Sequence, residues 1–174
     1  GEHVKIEGGV EVEVKDGVRT LRGNKMHVEM YDDMSFYGDQ GELKLLADDR
    51  MSVRFEGNAR ITAEGFRLSA DKFCWITQDD HMKTEYSGSV KVEILEGTGE
   101  GRRFSADRVV IDPEQPGAHL IGNARLYQVG DKPLDIRAEY IQIDDDYDAV
   151  KSTATVPAEI SEIDVFSFYM GILR

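Results

Sequence analysis

Cysteine is nearly missing from this chain. Cys74 is the only one in 174 residues, so no internal disulfide framework exists. Proline is scarce, with four copies in or beside turn signals or near the C-terminal end. His3, His27, His81 and His119 are scattered singly, without the spacing that holds zinc. No apolar run reaches the roughly 18 residues of a membrane-spanning helix. No secretory signal pattern opens the chain, but Gly1 reads as a cleavage remnant, so a leader or anchor removed upstream stays open. Cations are outnumbered, 21 Lys+Arg against 34 Asp+Glu, for a formal charge of −13. That balance argues against a nucleic-acid partner, which needs basic surface, and less strongly against an anionic membrane.

Catalytic and metal motifs are also lacking. Cys74 stands in Phe73-Cys74-Trp75 with no nucleophile motif, and no Gly-x-Ser-x-Gly elbow occurs. Asp144-Asp145-Asp146-Tyr147-Asp148 has neither the central glycine nor the closing glutamate of a calcium loop, and it reads as a solvated turn, like Asp32-Asp33 and Asp79-Asp80. Gly97-Thr98-Gly99-Glu100-Gly101 lacks the Lys-Ser/Thr ending of a phosphate loop and reads as a hairpin loop. Carboxylates are so numerous that a close pair carries no weight. The chain reads as a non-enzyme without metal or cofactor.

What is present is alternation at period two. Val10, Val12 and Val14 alternate with Glu11, Glu13 and Lys15, and Val90, Val92 and Ile94 with Lys91 and Glu93. That is the pattern of half-buried antiparallel strands. No helical stripe of ten or more residues appears. Turn signals, among them Gly38-Asp39-Gln40-Gly41 and Pro113 to Gly117, predict about fifteen short strands. No composition shift divides residues 1–174, so one domain is expected. The tail over 158–174 reads either as a last strand packed on the core or as a capping or edge segment that meets a partner.

A phrase also repeats. Gly57-Asn58-Ala59-Arg60-Ile61 returns as Gly88-Ser89-Val90-Lys91-Val92 and as Gly122-Asn123-Ala124-Arg125-Leu126, at intervals of 31 and 34 residues. Each copy is followed by a second phrase: Leu68-Ser69-Ala70-Asp71, Phe104-Ser105-Ala106-Asp107, Ile136-Arg137-Ala138-Glu139. A recurring unit means a stacked module, clearest over 41–150. After each second phrase the alternation slips. Ala70 is followed by Phe73, Ala106 by Val109 and Ala138 by Ile141, a step of three that reverses facing unless a bulge or corner absorbs one residue. Leu45-Ala47-Asp48 breaks this rule, and the first fifty residues fit the unit least. Repeated bends predict an all-β, elongated and open antiparallel β-jelly roll, a folded-over two-sheet sandwich.

The phrases Gly57 to Thr62, Leu68 to Phe73 and Gly122 to Gln128 resemble the organic-solvent-tolerance A-like repeat of the periplasmic lipopolysaccharide-transport proteins, in its A-, C- and D-like versions. The resemblance covers roughly residues 40–150. It implies a jelly roll with a greasy interior that shields acyl chains and joins end to end with itself or other jelly-roll transport proteins. It also implies a periplasmic location, soluble or as part of an anchored protein, and lipopolysaccharide or a similar lipid as partner. Phe66, Phe73, Trp75, Phe104, Val109, Ile111, Ile141 and Ile143 are the groove candidates, since they fall on the apolar faces of the repeated strands; a filled core uses the same residue types. Val10, Val12, Val14, Phe166 and Phe168 are the candidates for an assembly edge. The rivals to lipid handling are a structural scaffold with a filled core and a carbohydrate-active β-solenoid enzyme, whose coil of roughly 20–29 residues is shorter than the unit here.

Overall fold

Long alternating segments make long strands. A computed structural model describes residues 5–30, 33–46, 50–78 and 81–172. The elements are β1 (Lys5–Lys15), β2 (Val18–Met30), β3 (Met34–Leu45), β4 (Met51–Thr62), β5 (Phe66–Gln78), β6 (His81–Ile94), β7 (Arg102–Asp112), β8 (Gln115–Gln128), β9 (Leu134–Ile143), β10 (Ala149–Thr153), α1 (Ala158–Ser161) and α2 (Val165–Ile172). The ten strands form a single antiparallel sheet in chain order, β1 through β10. The expectation of about fifteen strands is corrected for two reasons. Gly38 to Gly41, read as a turn, lies inside β3, and the tail is helical. Asp32, Ala47, Asp48, Asp79, Asp80 and Leu173 lie outside the described residues, as does His3.

Each repeated Gly-Asn or Gly-Ser pair is an insertion in its strand. Gly57 and Asn58 of β4 together oppose only Asp71 of β5. Gly88 and Ser89 of β6 oppose Asp107 of β7, and Gly122 and Asn123 of β8 oppose Glu139 of β9. Two residues against one is a β-bulge, and it bends the strand. Gly88 and Ser89 take φ of +81° and +46°, the left-handed region, and the other two pairs repeat this. The slips at Asp71, Asp107 and Glu139 therefore fall on register shifts that run in a line across the sheet.

The bend brings the ends of each strand back toward each other. Phe36 of β3 is in register with Ile61 of β4 and Leu68 of β5, seven residues from Trp75. On a flat sheet roughly 25 Å would separate Phe36 from Trp75. Their ring centroids lie 5.9 Å apart, and those of Phe36 and Phe73 5.7 Å apart. The sheet is curled about the bulge line, and its concave side holds the main core, including Met26, Phe36, Phe55, Phe73, Leu120, Leu126 and Ile141.

The bulge line is also why glycine recurs. A Cβ on Gly88 would lie 2.6 Å from Cβ of Asp71 and closer still to its carboxylate. Asp39 covers Gly57 and Asp107 covers Gly122 in the same way. Asn58 donates to Asp39 at 2.9 Å and Asn123 to Asp107 at 3.0 Å. Gly88→Ala should cost about 2–3 kcal/mol, combining backbone strain with the collision against Asp71. Gly97→Ala, at a φ of +82° in open space, carries the strain alone and should cost about 1 kcal/mol. Urea unfolding midpoints would measure both; equal losses would show that the carboxylate over Gly88 is not what demands glycine.

Candidate functional site

Apolar side chains on the concave side do not fill it. A cavity of about 430 Å³ is lined by Met34, Phe36, Ile61, Phe66, Phe73, Trp75, Met82, Thr84 and Tyr86. A second, of about 360 Å³, is lined by Phe66, Leu68, Tyr86, Val92, Ile94, Phe104, Val109, Ile111, Leu120, Ile143 and others. Both fall in the size range of ligand pockets. Phe66 and Tyr86 line both, so the two adjoin.

Seven of the eight groove candidates line these cavities. Phe66, Phe73 and Trp75 border the first, and Phe66, Phe104, Val109, Ile111 and Ile143 the second. Ile141 borders neither and is fully buried in the core. Ile111, at 38% exposed, reaches solvent. Sequence reasoning missed Met34, Phe36, Met82 and Tyr86. Tyr86 was within reach: it sits on the apolar face of β6, in register with Phe73. Its ring centroid lies 6.0 Å from that of Phe73, and burial pushes its phenol pKa up. Met34 and Phe36 belong to the terminal stretch where the repeat is least regular.

The assembly-edge candidates divide. Val10, Val12 and Val14 lie on β1, which pairs only with β2 among the described strands, and Val12 and Val14 are 63% and 66% exposed. Phe166 and Phe168 are not on a strand edge, because the tail is α2. Phe166 packs half-buried with Lys72 4.4 Å from its ring centroid; the side chain of Phe168 lies outside the described residues. The missed signal is local. Asp164 accepts from the backbone N–H of Ser167 at 3.0 Å and from its hydroxyl at 2.7 Å, a helix cap that holds the Asp164 carboxyl below its usual range.

The tail covers the convex face. Val165 and Tyr169 bury Cys74 and Ile76, and Ile160 packs with Val110 and Tyr140. Buried Glu85 anchors it. Its carboxylate accepts two bonds of 3.0 Å from Arg108 and a third of 3.0 Å from the N–H of Val165, while Arg108 also donates to the carbonyl of Ile163. The Tyr169 hydroxyl donates to Glu42 at 2.5 Å. Burial works against the charge of Glu42, but the bonds from Tyr169 and Arg22 outweigh it and hold the carboxyl below its usual range. Burial pushes the Cys74 thiol pKa up, which makes it a poor nucleophile.

The other polar features have structural employment. His119 contacts the Tyr140 hydroxyl at 2.6 Å and the Gln115 carbonyl at 2.9 Å. Asp144 accepts from the N–H groups of Asp146 and Asp148 and so closes its own turn. Among the described residues no group of three or more His, Cys, Asp or Glu is arranged to hold a metal ion, and no helix is long and apolar enough to cross a membrane.

Val165→Asp should detach α2, because it places a carboxylate within the apolar cluster beside Cys74. Ellman's reagent should then label Cys74 much faster while the β-sheet circular dichroism persists. An unchanged labelling rate would mean the helix does not protect the thiol. The chain matches no protein-family model and no curated protein sequence.

Proposed function

We propose that this protein is a non-catalytic carrier of apolar chains, built as a folded-over β-jelly roll, and that it serves lipopolysaccharide export in the periplasm. The observation that carries the reading is the pair of adjoining apolar cavities inside the curled sheet. Each buried CH₂ contributes roughly 0.8 kcal/mol, so an alkyl chain is held by burial alone. No nucleophile, metal or cofactor is needed for uptake or for handover to a partner of the same fold. The assignment to lipopolysaccharide export rests on the resemblance of the Gly57, Gly88 and Gly122 phrases to the repeat of that system.

Trp75 is the only tryptophan and lines the larger cavity, so it reports on occupancy. Titration with lipopolysaccharide should shift its emission. Phe66→Asp, at a half-buried position shared by both cavities, should weaken binding more than tenfold, since a chain would then be packed against a carboxylate. Binding of a plain fatty acid but not of lipopolysaccharide would keep the carrier and remove the export assignment. A folded Phe66→Asp variant that binds as before would remove the cavity reading.

A second reading, a scaffold that binds protein, is favoured by one observation. Among the described strands the outer edge of β1 is unpaired, with Val12 and Val14 exposed, and open edges add strands from other chains. Head-to-tail association through β1 is compatible with either reading. The net charge of −13 opposes it at long range, so light scattering should show mass rising with protein concentration, more strongly at high salt. Val12→Lys should suppress that rise. A strict monomer at both salt levels would leave only pairing with a different protein.

A further inference from the structure

We infer that the hydroxyls of Tyr86 and Thr84 are a hydrogen-bonding station within the apolar cavity, and that the chain taken up there carries an oxygen, as hydroxyl or ester, part-way along its length. The inference rests on the reading of the cavity as a chain-binding site and specifies its ligand. Residues 84 and 86 are two apart on β6 and so share a face. Both line the larger cavity, and Tyr86 also lines the smaller one, at the junction between them. Thr84 is 5% exposed and Tyr86 half-buried. Neither hydroxyl makes a hydrogen bond among the described residues. The surrounding wall is apolar, from Phe36, Ile61, Phe66 and Met82.

Packing alone does not call for hydroxyls at these positions. Phenylalanine and valine would fill the same space without two polar groups to satisfy. An unbranched hydrocarbon lying across them leaves both desolvated and unpaired, which is costly. A chain with an oxygen at matching depth pairs with them and loses nothing. The burial that raises the phenol pKa keeps Tyr86 protonated, and therefore able to donate, across the physiological range.

The probes are octadecanoic acid and a set of hydroxyoctadecanoic acids differing in the position of the hydroxyl, titrated against Trp75 emission. One positional isomer should bind about fivefold tighter than the plain acid, the worth of one net hydrogen bond. Tyr86→Phe should erase that preference and bind the plain acid at least as tightly as the wild type does. Thr84→Val should reduce the preference. Isomers that never exceed the plain acid, or a preference that survives both substitutions, would overturn the inference while the chain-binding reading stood. If no acid perturbs Trp75, the chain-binding reading falls and this inference with it.

Discussion

Everything in this fold depends on one local contact, a carboxylate lying on a glycine of the neighbouring strand. Asp39 over Gly57, Asp71 over Gly88 and Asp107 over Gly122 form a line across the sheet. At each point two left-handed residues are inserted against one, and the strand turns. Without the glycine the carboxylate has no room, and without the insertion the strand runs straight. A straight sheet would leave Phe36 and Trp75 far apart and exposed. The polar row outside and the apolar cavity inside are two faces of the same bend.

The tail solves a different problem. A curled sheet buries its concave side but leaves the convex side to water. Cys74, Ile76, Val110 and Tyr140 point that way and need cover. Residues from Val156 to Tyr169 supply it, tied down by Glu85 and Arg108. An ion pair in such a position contributes little net stability but fixes where the tail sits, because either partner alone would be a buried, unpaired charge.

Much of the architecture was legible in the sequence, because alternation and the three-residue slips both express backbone geometry. The strand type, the bends at Asp71, Asp107 and Glu139 and part of the cavity wall follow from them. The tail was not legible as a helix. Val165 to Ile172 is apolar on nearly every position, so period two and period 3.6 fit it alike, and only Asp164 with Ser167 marked the start. Strand number was overcounted because glycine and aspartate serve bulges as well as turns, as Gly38 and Asp39 show. Net charge hides a local pattern. Arg60, Lys91, Arg125 and Arg137 fall in one register row, so a protein of −13 still presents a line of cations on one face.

The repeat has a consequence for evolution and engineering. Each unit is two strands, bent at the same place by the same contact, and it leans only on its neighbours. Inserting or deleting one unit would lengthen or shorten the apolar interior of the curled sheet by about 9.6 Å, two strand spacings, without changing its cross-section. The length of the concave core is therefore set by the number of units. A gene duplication of one 31–34-residue period would extend that interior in a single step.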